Sequence, residues 1–185
     1  MTAPVGHNGG PTMEGGEAWR RHCWGAARAA LIPHLPIEVL RGRLKRAAEL
    51  GLDYSAYASI RATSGRDVVA VLYSSNALRV MRAGQSAPPD RAARLAAVVG
   101  AARLGLAAPP LAAPALLRAA PLDAAHAAPS ALAPWGVARR ALRAALGATP
   151  ADGAILVGDH GLEQEWCAAA GLAGYVPAHR YFAHA

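Results

Sequence analysis

The sequence predicts an α/β fold: a small parallel Rossmann-like sheet of about four strands with an N-terminal helical cluster. Four short runs carry the strand signal, Val68 to Tyr73, Arg103 to Ala107, Ala154 to Val157 and Gly174 to Val176, and each is followed by a turn-forming or proline-containing segment. Helical stretches at Asp90 to Val99, Trp135 to Leu146 and Leu162 to Ala170 separate them. Alternation of strand and helix with short connections is the pattern of a parallel sheet covered by helices.

The first of these runs also fits a helix, because Ser64 and Asp67 resemble a capping box and Val69, Leu72, Tyr73 and Val80 would share a face. It is read as a strand because it is short, β-branched and uniformly apolar, as a strand buried on both faces must be. The stretch 108–134 is rich in Ala and Pro and is read as a loose surface connection, with Leu116 and Leu117 forming at most a short helical turn. His126, within it, is given no role.

Upstream of the sheet, residues 1–16 combine Gly, Pro and polar residues without periodicity, the composition of a disordered leader. Their His7-Asn8-Gly9-Gly10 stretch resembles the short GHNGGP-type leaders of many alphaproteobacterial proteins. Glu17 to Ile32 reads as a helix ended by Pro33. Pro36 then opens a helix from Ile37 to Leu50, with Ile37, Leu40, Leu44 and Ala47 as its apolar stripe and Gly51 as its cap. Asp53 is placed to cap a third helix, Tyr54 to Ala62, whose Tyr57 and Ile60 turn inward. The expected organisation is a helical segment 17–63 followed by an α/β unit 66–182.

Of 19 basic residues 18 are Arg, and the net charge is +7. The charge is uneven: +5 over residues 1–82, +5 over 83–150 and −3 over 151–185. A polyanion should therefore meet the first two thirds of the chain. Coupled enrichment of Ala and Arg also arises from coding composition alone. Cys23 and Cys167 are the only cysteines and have no metal-ligand spacing, so reduced, buried thiols in a soluble cytoplasmic protein are expected. The longest apolar tract, Leu104 to Leu117, is broken by three prolines, which argues against a membrane span.

In an open α/β sheet ligands sit beyond the carboxyl ends of the strands. That edge should carry Ser74, Ser75 and Asn76, just before an expected helix Ala77 to Arg82, and Asp159 and His160 after the third run. These five are the candidate ligand-binding residues, and each also suits helix capping. No catalytic residue and no metal ligand is assigned: the chain lacks a G-x-S-x-G elbow and a phosphate loop ending in Lys-Ser/Thr.

Three local resemblances bear on function. Trp135 through Gly158-Asp159 to Ala169-Ala170-Gly171-Leu172 resembles the C-terminal third of haloacid-dehalogenase-like (HAD-like) hydrolases, which implies a magnesium-holding role for Asp159. The nucleophilic Asp-x-Asp turn of that family is absent, with Ser74 to Asn76 in its place. Tyr73-Ser74-Ser75-Asn76-Ala77-Leu78 is similar to the Thr-Ser-x-Asn-Ala turn of uroporphyrinogen-III synthases over six residues and is read as a helix-capping turn. Ala47-x-x-Leu50-Gly51-Leu52 with Tyr57 and Ile60 resembles the helix-turn-helix of DNA-binding regulators. It would set Ser55, Ser59 and Arg61 toward a groove beside Arg41, Arg43, Lys45 and Arg46.

The first expectation is thus a non-catalytic module without a cofactor, binding a protein partner or a small anionic ligand. A DNA-binding protein and a diverged, Mg2+-dependent HAD-like hydrolase are the alternatives. Nucleic acid stays among the partner classes, and a membrane does not.

Overall fold

The computed structural model describes residues 35–183; the expected leader, the helix Glu17 to Ile32 and Cys23 lie outside them. Contacts divide the chain at Leu40/Arg41, within the first helix, and the following concerns the unit from Arg41 onward.

The elements are α1 (Ile37–Glu49), α2 (Tyr54–Ser64), β1 (Ala70–Ser74), α3 (Pro89–Ala96), β2 (Ala102–Ala107), α4 (Ala113–Ala119), β3 (Ala124–Ala127), α5 (Trp135–Leu146), β4 (Ala154–Gly158), α6 (Gly161–Ala170), β5 (Gly174–Pro177) and α7 (Ala178–Tyr181). The five strands are all parallel, in the order β3-β2-β1-β4-β5. Pairing sets Leu72 opposite Leu104 on one side and Leu156 on the other. β1 is therefore central and buried on both faces, which is why its run reads as continuously apolar.

Side chains of the sheet alternate between two cores. Val71, Tyr73, Ile155 and Val157 pack with residues of α1, α2, α3, α4 and α7. Ala70, Leu72, Ala154 and Leu156 pack with α5 and α6. The order matches the first five strands of the doubly wound arrangement, and the direction of winding reverses between β1 and β4. Loops leaving those two strands diverge there, and a crevice opens.

Sequence and structure differ in three places. There are five strands rather than four. Residues 108–134 are not a loose connection but hold α4 and β3. Pro114, a breaker by residue type, lies in the first turn of α4, where a missing N–H costs nothing. β3 is Ala-Ala-His-Ala and carries no β-branched or alternating signal; it is a strand because β2 offers it a free edge. The expected helix Ala77 to Arg82 is a single turn. Leu78 N donates to Ser74 O, Val80 N to Ser75 O and Arg79 N to Asn76 O, with Arg79 left-handed at φ 54°. This is a Schellman-type stop, with arginine where glycine is usual. Gly51, at φ 71°, closes α1 in the same manner with the usual residue.

The other helices expected within the described residues form, some with ends shifted by one to three residues, and the short α7 is unexpected. Asp53 accepts the Ala56 N–H at 2.8 Å and caps α2. Its carboxyl is lowered to about 2, first by the Ser55 hydroxyl and then by that N–H. The end of the chain docks on the core: Tyr181 and Phe182 are buried, the Tyr181 hydroxyl donates to Leu50 O at 2.9 Å, and it lies 2.8 Å from that of Tyr73. Cys167 is a buried free thiol, pushed by burial up to about 11. Among the described residues no helix is long and apolar enough to cross a membrane.

Candidate functional site

The five candidate residues gather at the reversal point between β1 and β4, held by a residue that sequence reasoning did not select. Glu163, the third residue of α6, is fully buried. Its Oε2 accepts the Ser74 hydroxyl at 3.0 Å and the Asp159 N–H at 2.7 Å, and its Oε1 accepts Asn76 Nδ2 at 2.8 Å. A Glu at the third helical position reaching back to a preceding backbone N–H extends the capping-box geometry. Here the same carboxylate also crosses to the β1 turn and joins the two sides of the crevice. Gly158 makes room for it, since a Cβ there would stand 2.7 Å from Glu163 Oε2 and 2.6 Å from Tyr175 Cε2. The signal in the sequence was a Glu three residues after His160, readable as a capping box; its reach across to β1 was not readable.

The network sorts the candidates by depth. Ser74 is buried, and its hydroxyl both donates to Glu163 and accepts the Ala77 N–H at 3.0 Å. Ser75 is also buried, its hydroxyl accepting the Ala108 N–H at 3.1 Å. Ser74 is bonded wholly within the protein, whereas Ser75 also lines a cavity beside Asn76. Asn76 is half-buried, and Asp159 and His160 are exposed. Asn76 Nδ2 lies 3.1 Å from His160 Nε2, and the Tyr175 hydroxyl donates to His160 O at 3.2 Å. Asp159 does not cap α6; its side chain stays at the surface, near enough to Arg91 to favour that residue's charged form.

Two adjoining cavities flank Asn76. One, of about 290 Å³, is lined by Asn76, His160, Trp166, Pro109, Pro129 and Ser130. The other, of about 390 Å³, is lined by Asn76, Met81, Arg82, Ala108, Pro109 and Pro110. Asn76, Ala108 and Pro109 belong to both. Arg79 and Arg82 are exposed and form no ion pair among the described residues. Arg91 sits beneath the turn, bonded to Ala77 O and stacked 4.6 Å from the centre of the Phe182 ring. Burial first, and then the Arg79 charge, lowers the affinity of its guanidinium for a proton. The β1 turn thus carries positive charge that the protein leaves partly uncompensated.

The second candidate set, for nucleic acid, is partly engaged within the protein and partly exposed. Arg46 Nε donates to Asp67 at 3.0 Å, Nη1 to Glu49 at 3.2 Å and to Val99 O at 2.9 Å, and Nη2 to Val68 O at 2.8 Å and Gly100 O at 2.9 Å. Arg61 faces Asp67 at 3.7 Å, and the Ser55 hydroxyl is bonded to Asp53 and Arg180. α2 packs on the core through Tyr57 and Ile60. Ser59 and Arg41 are exposed, Arg43 is half-buried, and the exposed Lys45 pairs with Glu49 at 3.9 Å. A cavity of about 290 Å³ beside α2 includes Ser55, Ser59 and Arg180, but Arg180 is already paired with Asp53 at 3.1 Å.

Among the described residues no three His, Cys, Asp or Glu side chains gather to hold a metal ion. The acidic residue nearest Asp159 in the network is Glu163, whose carboxylate is engaged by three protein donors. Comparison of the chain with protein-family models, curated proteins and solved structures gave no match.

Proposed function

We propose that the chain is a cytoplasmic, non-catalytic binding module that takes a small anionic ligand in the crevice between the β1 turn and the Ala108–Pro110 segment. The observation that carries this reading is the pair of cavities meeting at Asn76: the smaller reaches His160 at the reversal point of a doubly wound sheet, and the larger, between the β1 turn and the exit of β2, holds Arg82, which has no ion pair among the described residues. Crevices at that point are where open α/β sheets bind ligands. The serines, Glu163 and the buried Arg91 hold the turn in place, and Arg82 supplies charge for an anion at its rim. A thiol that is buried and unpaired agrees with a reducing compartment.

The test is calorimetric titration with inorganic phosphate, pyrophosphate and citrate, on the intact chain and on Arg82→Ala. Binding by at least one anion, weakened about tenfold or more by the substitution, supports the assignment. Unchanged binding in Arg82→Ala, or the absence of any binding at millimolar concentration, contradicts it.

A further inference from the structure

The hydrogen-bond network fixes which polar atoms the crevice can offer, and so the class of ligand. A carboxylate only accepts, so the Asn76 atom bonded to Glu163 Oε1 must be the amide nitrogen. The same nitrogen lies 3.1 Å from His160 Nε2, which in turn stands 3.6 Å from Glu163 Oε1, so the imidazole edge and the amide share one carboxylate oxygen. Glu163, fully buried and bonded to three donors, has no freedom to change these roles. Asn76 Oδ1 accepts nothing from the described residues, and the side chain borders the cavity that contains Arg82.

We infer that the ligand is a small hydroxylated anion, such as a sugar phosphate or a hydroxy acid, whose hydroxyl donates to Asn76 Oδ1 while its anionic group meets Arg82. This rests on the crevice being the binding site. An anion without a hydroxyl leaves the Asn76 oxygen facing it with nothing to accept, and its own charge is set against a carbonyl dipole. Glu163 acts as a positioning residue for specificity: it touches no ligand, but it determines that Asn76 presents an acceptor rather than a donor. In Glu163→Gln the new amide can donate to Asn76, which is then free to turn its own nitrogen outward.

Two readouts test this. In the ligand-free protein, nitrogen–proton NMR of the intact chain should show the Asn76 side-chain NH2 protected from hydrogen exchange, because Glu163 holds it inward. An Asn76 NH2 that exchanges as freely as an exposed one overturns the inference whether or not anything binds. The second readout is calorimetry with a matched pair, glycerol 3-phosphate and n-propyl phosphate. The intact chain should prefer the hydroxylated member about tenfold, the scale of one well-placed hydrogen bond, and Glu163→Gln, shown folded by its NMR spectrum, should lose that preference while still binding. Equal affinity for both in the intact chain overturns the inference and leaves the crevice as an anion site. Binding of neither overturns the inference and the crevice assignment together. A preference that survives Glu163→Gln overturns the positioning role of Glu163.

Discussion

The two ends of the sheet are each clamped by one charged side chain, and they are finished differently. At the amino end Arg46 ties α1 to the entries of β1 and β2 through Val68 O, Val99 O, Gly100 O and Asp67. Every nitrogen of its guanidinium is engaged within the protein. At the carboxyl end Glu163 ties the exits of β1 and β4 through Ser74, Asn76 and Asp159, but one atom of Asn76 and the outer edge of His160 are left over beside two cavities. The Arg46 clamp leaves no guanidinium nitrogen free, whereas residues of the Glu163 clamp line two cavities, which is what the proposed site uses. On the proposed function, the single buried glutamate rather than the arginines near Arg46 marks the site.

The largest effect is expected where the clamp is fully buried. Glu163→Ala leaves the Ser74 hydroxyl, the Asn76 amide and the Asp159 N–H without their acceptor and should cost about 3–5 kcal/mol. Urea unfolding should show this as a lower midpoint with an unchanged slope. Arg46→Ala should cost about 2–3 kcal/mol by the same measurement, because its site is partly open to water that can replace some of the lost bonds. The two clamps lie at opposite ends of the strands and share no partner, so the double variant should be additive to within about 0.5 kcal/mol. Strong coupling between them would break the picture of two independent ends.

Acid should weaken the clamp at the amino end. Burial draws the Asp67 carboxyl upward, but the Tyr57 hydroxyl and the Arg46 charge outweigh it, and the group titrates below its ordinary value. A depressed folded pKa means the contribution of Asp67 is complete above its unfolded value near 3.8 and is lost as pH falls through the folded one. Asp53 behaves in the same sense, lowered to about 2. The urea midpoint of the intact chain should thus fall on acidification below about pH 4, and Asp67→Asn should flatten part of that fall. The smallest effect is expected at the cap of α2, where Asp53→Ala should cost about 1 kcal/mol at neutral pH in the same assay.

Much of this architecture was legible in the sequence, and what was not has identifiable causes. β1 and β4 announce themselves because a strand covered on both faces has to be uniformly apolar, and β2 and the edge strand β5 follow from the repeated order of a short run and then a turn or proline. α5 and α6 follow from periodicity and from Gly147 and Gly171 beyond their ends. β3 carries no such mark, since an edge strand of small residues is stabilised by its neighbour rather than by its own preference. Pro114 hides α4 because the same residue breaks a helix in its middle and tolerates one at its start. At the site, the convergence of Ser74 to Asn76 with Asp159 and His160 followed from topology, yet their depths did not: a hydroxyl before a helix looks the same whether it faces water or a buried carboxylate. Glu163 was hidden for the complementary reason, because a Glu in a first helical turn is ordinary until a second strand end comes within 3 Å of it.

The most direct test of the contrast between the two ends is a nitrogen–proton correlation spectrum of the intact chain titrated with glycerol 3-phosphate. Shifts confined to Asn76, including its side-chain amide, and to Arg82, Ala108 and His160 are the predicted result. Shifts centred on Arg41 to Arg46, with the Asn76 amide unmoved, would contradict it and return the function to the amino end of the sheet.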